Sequence, residues 1–468
     1  MSSRTRWALL ILFLPSLLFA SDLSNDLGKR LDQVRRRFRL NRAIGVLVQN
    51  VESGETVYSH NADKKFIPAS GMKLVTIAAS LHYLGPNYRF ETQFLVDGPL
   101  EGGVLKSDLY VKGSGDPSLT EGDLDTITAA IAGAGLREIT GNLILDDSFF
   151  DDRLRGPASY DNILKKGLPI QSALSYNFNI VELRAEPSDK IGARANLHDG
   201  GYGYFEVLNR VKTSSRGRPW MSIKKLRSDR VVVYGRVVAG DEEASSGFVA
   251  PDPPQYFASA LLGKLKEHGV LFYGDVVRRA APKTGLKVLY VHRSARLIQI
   301  LELLGKNSNN FVAEQMLKAL GAHRWGESGS FENGARALSE YLIGLGFRND
   351  EFRIEDGSGL SYENNLSSSI LVRVLQELYA TPELRTDFMC SLAVGGVDGT
   401  LSRRFRREEH MGRVVAKTGS LSGISSLSGF AFSPRGEPLV FSVMLNGISR
   451  QWRADHVEDE IARALLDN

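Results

Sequence analysis

Apolar residues recur with two different spacings in this chain, and the spacings come in blocks. From Asp26 to Phe38 charged and apolar positions alternate with a helical period. The run AIGVLVQNV (43–51) is too short and too continuous for that and reads as a strand, with Thr56–Ser59 as its hairpin mate. The next block, PASGMKLVTIAASLHYLG, predicts a helix that starts near Ser70 and stops near Gly85, where Gly-Pro ends it.

Between about Tyr88 and Lys287 the texture changes to short β-branched runs such as LKSDLYVKG, GNLILDD and DRVVVYGRVVAG, punctuated by Gly, Asp and Pro. Helical spacing returns there only around Asp123–Gly133 and Pro254–His268. After Lys287 the spacing predicts helices over Leu297–Leu304, Phe311–Leu320, Phe331–Leu345 and Ser367–Tyr379, then strands in RVVAKTG, SLSGFAFS and EPLVFSVMLNG, and a closing helix over Trp452–Leu466. Both ends of the chain therefore offer helices with antiparallel strands. An α+β fold follows, in which residues 21–87 and 288–468 form one discontinuous domain interrupted by a β-rich insert, 88–287, with a nested subdomain over about 166–244.

Composition adds size and destination. With 468 residues and 43% apolar content the chain can fill more than one core. Arg4 and Arg6 precede an apolar stretch from Trp7 to Ala20, which reads as a signal peptide over residues 1–20, cleaved before Ser21. An exported protein with no membrane span after cleavage is expected. The single cysteine, Cys390, cannot form an internal disulfide and is expected to be a buried free thiol. The 58 Lys and Arg against 54 Asp and Glu leave +4, with no long basic block, which argues against a nucleic-acid partner. The eight histidines form no metal-binding spacing, so neither a metal nor a cofactor is expected.

Chemistry enters at Ser70-Gly71-Met72-Lys73, where a hydroxyl and an amine share one face of a helix start. An N-cap explains Ser70 but not Lys73, because a cation there opposes the positive end of the helix dipole. The same misfit favours a neutral amine, which can take a proton from the serine. Ser222–Lys225 repeats the spacing, so the motif needs company. Ser308-Asn309-Asn310, in a polar loop between two helices, and Lys417-Thr418-Gly419, at the end of an apolar strand, supply a second hydroxyl, an amide and a cation. Ser175-Tyr176-Asn177 and Lys283-Thr284-Gly285 repeat those motifs too, in a strand opening and a loop.

S-G-M-K, S-N-N and K-T-G, read in that order, resemble the penicillin-recognising serine enzymes. The flanks GSGDPSL, LDDSFFD, SALSYNFN, GKNSNNFVAEQML, DGSGLS and GVDGTLSRR make the chain similar to the class C low-molecular-mass penicillin-binding proteins, the D-alanyl-D-alanine carboxypeptidase/endopeptidase family. The resemblance implies a transpeptidase domain, an antiparallel sheet with helices on both sides, carrying inserted β-rich domains. It implies peptidoglycan stem peptides as substrates and β-lactams as inhibitors. By that likeness Ser70 is the nucleophile, Lys73 its base and Ser308 a proton relay. Asn310, Lys417, Thr418 and Gly419 would bind substrate, and the N–H groups of Ser70 and Ser420 would form the oxyanion hole. Tyr362 follows DGSGLS where the family often has Arg, so a cation for a diaminopimelate side chain is missing there. Asp151 and Asp152 are expected in a solvated loop. A β-lactamase and a non-catalytic wall-binding protein are the rival functions; all three motifs weigh against the second.

Overall fold

The computed structural model describes residues 14–154, 156, 170–240, 243–433 and 438–467. Contacts divide the chain into two compact units, one of residues 1–86, 301–309 and 335–468, the other of 87–300 and 310–334.

The first unit is built on a six-stranded antiparallel sheet in the order Ala393–Val394, Val414–Leu421, Ile424–Ala431, Leu439–Asn446, Ile44–Asn50, Thr56–His60. Strands from the two ends of the chain lie side by side in it. Leu27 and Leu31, from the helix Leu14–Arg37, and Val457, Ile461 and Leu465, from the helix Gln451–Leu466, close one core against the sheet. The helices Met72–Leu84 and Ser368–Ala380 are also buried in this unit, and Tyr379 meets Phe430 of the sheet at 5.4 Å. All eight residues of Ile424–Ala431 are consequently buried, as expected of a central strand covered on both faces. Its three serines are satisfied internally: Ser425 donates to Glu458, Ser426 to the Pro68 carbonyl and Ser428 to Ser442.

The second unit holds a five-stranded mixed sheet, Val276–Arg278, Leu143–Asp146, Leu109–Gly113, Glu91–Val96 and Lys287–Arg293 in that order. Leu124, Ile127 and Ile131 of the helix Glu121–Gly133 and Phe257 and Leu261 of the helix Pro253–Glu267 share its core. Two three-stranded sheets within residues 180–249 enclose a smaller core of their own around Leu183, Val211 and Val233.

The unit boundaries differ from cuts at 87/88 and 287/288 at the return. Lys287–Arg293 pairs with Glu91–Val96, so it belongs with the inserted sheet. The helix Asn310–Trp325 also falls in the second unit. Its buried polar side chains explain this: Gln315 donates to the Ser172 carbonyl at 3.0 Å, and Lys318 pairs with Asp151 at 2.6 Å and donates to the Arg153 carbonyl. A helix Pro382–Ser391 that the apolar spacing did not predict carries Cys390. That cysteine is exposed, contrary to the buried thiol expected of it: Phe388, two positions earlier, takes the inward place. The helix Leu14–Arg37 crosses the expected cleavage point, while residues 1–13 of the expected signal lie outside the described residues. Among the described residues no helix is long and apolar enough to cross a membrane.

Candidate active site

Ser70 sits in a single 3₁₀ turn, Ala69–Gly71, that runs into the helix Met72–Leu84. Ala69 adopts φ +48°, a conformation that non-glycine residues seldom take, and the turn leaves Ser70 half-buried while Ala69 and Gly71 are buried. Two neighbours hold it. The strand Val414–Leu421 comes so close at Gly419 that a Cβ there would lie 2.9 Å from both the Gly71 nitrogen and the Pro68 carbonyl. Ser426 ties the same Pro68 carbonyl at 2.7 Å.

Lys73, one helical turn on, is fully buried. Its Nζ lies 3.0 Å from Ser70 Oγ and 2.6 Å from the Ser358 carbonyl. Ser358 belongs to the DGSGLS loop, which is wound around Asp356: its carboxylate accepts from the Gly359 N–H, the Ser361 N–H and Asn364. Thr76 donates to the Gly357 carbonyl at 2.7 Å, so the loop is fastened to the helix that carries Lys73. The amine is aimed at the serine from both sides.

Ser308 has φ +57° and follows the helix Leu297–Gly305. Its loop is pinned by Lys306, which contacts Asp398 at 2.5 Å and donates to the Leu392 carbonyl. Lys417 donates to Ser308 Oγ at 2.9 Å and to the Thr418 carbonyl at 2.7 Å. Burial, and secondly the charge of Lys73, hold the Lys417 amine well below the ordinary lysine range. That dependence means the two amines resist being charged together. Thr418 bonds Thr400 at 2.8 Å, and the exposed Ser420 accepts from Gln451 at 3.2 Å.

The structure thus brings Ser70 to Lys73 and Ser308 to Lys417, with Thr418, Gly419 and Ser420 following on the same strand. Asn310 is the first residue of the helix Asn310–Trp325, two positions after Ser308. Tyr362 is exposed, past the DGSGLS loop. Sequence reasoning gave no role to Ser358, Gly359, Asp398, Thr400, Ser426 or Gln451, although DGSGLS and GVDGT were visible as motifs.

The duplicate motifs have structural roles. Ser222 and Lys225 lie on the strand Trp220–Lys225, where positions three apart face opposite sides. Ser175 donates to the Ser172 carbonyl, and Lys283, Thr284 and Gly285 are exposed. Asp151 departs from the solvated loop expected of it because it neutralises the buried Lys318, whereas Asp152 is 95% exposed beside Arg278.

Residues 27–466 match the model of the D-Ala-D-Ala carboxypeptidase 3 (S13) family. The chain belongs to that family. This carboxypeptidase is 33% identical over 425 residues to a D-alanyl-D-alanine carboxypeptidase of an Actinomadura species, covering 86% of this chain and 78% of the relative. It is 28% identical over 417 residues to the D-alanyl-D-alanine carboxypeptidase DacB of Haemophilus influenzae, covering 87% and 86%. The crystal structure of penicillin binding protein 4 from Haemophilus influenzae matches with a TM-score of 0.76 and 26% identity, over 92% of this chain and 97% of the other. Its complex with a novel β-lactam matches at 0.71. The enzyme is a serine-type D-alanyl-D-alanine carboxypeptidase with the α+β fold of the low-molecular-mass penicillin-binding proteins.

Proposed function

We propose that Ser70 carries the acyl group in this carboxypeptidase and that Lys73 is its base. The observation that supports this best is the 3.0 Å contact between Ser70 Oγ and a buried Lys73 Nζ that the Ser358 carbonyl holds in place. A neutral Lys73 takes the Ser70 proton as Oγ attacks the carbonyl carbon of the penultimate D-alanine. The N–H groups of Ser70 and Ser420 receive the oxyanion, each contributing roughly 10²–10³ in rate. The C–N bond then breaks, the leaving D-alanine amine gains a proton through Ser308, and water hydrolyses the ester.

Lys417 in its charged form, with Thr418, grips the terminal carboxylate. No carboxylate among the described residues pairs with this amine, so a substrate anion supplies the counter-charge and binding draws a proton onto it. Asn310 holds the peptide amide, by resemblance. Gly419 serves by keeping the strand close under the Ser70 turn.

The substrates are peptidoglycan stem peptides, and the site of action is the periplasm, reached through the Arg4, Arg6 and Trp7–Ala20 leader. β-Lactams acylate Ser70 and remain, because their leaving group stays tethered. The same acyl transfer on a cross-linked stem gives endopeptidase action. D-alanine release from a soluble stem peptide tests the assignment: Lys73→Gln should lower kcat by about 10²–10⁴, and an undiminished rate would remove Lys73 from the reaction. A cross-linked muropeptide dimer, assayed alongside, reads the endopeptidase arm.

A further inference from the structure

In the second unit, the sheet of Glu206–Ser214, Arg230–Val238 and Trp220–Lys225 packs one face on a small core, while the other presents charged and aromatic side chains around the buried Val232 and Val238. Val211, Val233 and Val237 turn inward, with Met221 and Ile223, onto the small core that includes Leu183 and Ala185. The residues between them turn outward, and the register lines them up. Lys212 stands opposite Arg236, which stands opposite Trp220; Arg210 stands opposite Tyr234. Lys224 follows on the same face of the outer strand. Trp220 is 45% exposed and Tyr234 39%.

Between Val207 and Arg236 nine Lys and Arg accompany one acidic residue, Asp229. The excess of eight exceeds the +4 of the whole chain, so the rest of the protein is acidic overall. Like charges directly opposite on neighbouring strands repel, and the arrangement costs local stability. Among the described residues, Arg230 alone of the nine has a carboxylate partner, Glu206. The repulsion within the directly opposed pair Lys212 and Arg236, with Arg210 and Lys224 adding charge on the same face, is therefore left for an external anion to relieve.

We propose that this face docks on the carboxylate-bearing stem peptides of the peptidoglycan polymer and holds the enzyme on its substrate. The inference rests on the reading of that polymer as substrate. Charge complementarity selects the occupant: each stem ends in a carboxylate before cleavage, and loss of D-alanine exposes another, so the attraction survives turnover. Trp220 and Tyr234 offer apolar faces to the uncharged parts of the polymer. Exposed ion pairs are individually weak and screened by salt, so retention needs several at once.

Co-sedimentation of the full chain with purified sacculi tests this, using a variant that combines Arg210→Gln, Lys212→Gln, Lys224→Gln and Arg236→Gln. The wild-type protein should bind at about 50 mM salt and be released by about 500 mM. The variant should bind at least about tenfold more weakly, as should wild-type protein on sacculi with amidated carboxyls. The variant should melt at or slightly above the wild-type midpoint, since the Lys212–Arg236 repulsion is gone, and share its kcat/KM on a soluble stem peptide, while KM on sacculi rises in the variant. Equal sedimentation of variant and wild type would overturn the proposal. So would preferential wild-type binding to phosphatidylglycerol vesicles, lost in the variant, which would assign the face to a lipid. Failure to cleave the soluble peptide would strike the catalytic reading instead.

Discussion

A Cβ on Gly359 would lie 1.8 Å from the carbonyl oxygen of Ala69, so the DGSGLS loop and the turn bearing Ser70 touch backbone to backbone. The contact fixes the serine from one side while the neighbouring Ser358 carbonyl fixes Lys73. One loop thus sets the distance between them.

Gly359→Ala should therefore damage the reaction as well as the fold. Gly359 has φ +81°, so the substitution adds a clash to a strained conformation. A loss of about 2–4 kcal/mol in urea unfolding is expected, with acylation by labelled penicillin slowed more than about tenfold. Gly269→Ala is the control: φ is +77° but nothing lies within 4 Å of the new Cβ. It should cost about 1 kcal/mol and leave acylation unchanged.

Lys417 should make stability depend on pH at the alkaline end. Burial lowers its folded-state affinity for a proton below the ordinary 10.5. The unfolded chain then binds more protons in the window from the lowered value up to 10.5, so unfolding free energy rises with pH across it. Lys417→Met should abolish that rise in urea titrations and raise KM for a stem peptide with a free carboxylate.

Glu458 predicts the opposite slope at the acid end. Burial pushes its carboxyl from 4.5 up to about 7, against the pull of Arg404 at 3.0 Å and the bond from Ser425. The folded protein binds more protons than the unfolded chain between 4.5 and 7, so this contribution is full below 4.5 and lost as pH rises through 7. Relative to Glu458→Gln, the wild-type protein should lose up to about 3 kcal/mol across that window. Parallel stability curves for the two proteins would contradict the assignment.

The pairs Ser70–Lys73 and Ser308–Lys417 that the structure brings together were legible as a candidate site because they are side chains with a recognisable spacing. Ser358 was not, because it acts through its backbone carbonyl, which any residue could supply at that place. Gly359 and Gly419 act through a missing Cβ, whose value depends on a segment far away in the chain. The discontinuous sheet was legible from matching end textures. The assignment of Asn310–Trp325 was not, because its apolar spacing suits burial in either unit and Gln315 and Lys318 decide it by partners 140 to 167 positions earlier. Cys390 was misread by composition, which records rarity and not facing. The charge of residues 207–236 looks dispersed along the chain and becomes a surface only once strand register stacks it.

Asp398→Ala should act on catalysis at a distance. It removes one of the two partners that the Lys306 amine has among the described residues, leaving the Leu392 carbonyl, and so loosens the loop that presents Ser308 to Lys417. The salt bridge is partly exposed and contributes little, but Asp398 also accepts from the Val394 N–H, so a stability loss of about 1–3 kcal/mol is expected. Acylation should slow by about tenfold, and Asp398→Glu should restore part of the rate.

The most direct measurement is the site of covalent modification. Intact protein treated with benzylpenicillin, then digested and mapped by mass spectrometry, should carry one adduct, on Ser70, formed slowly or not at all in Lys73→Gln. An adduct on another serine such as Ser222, or Lys73→Gln acylating at the wild-type rate, would contradict the account.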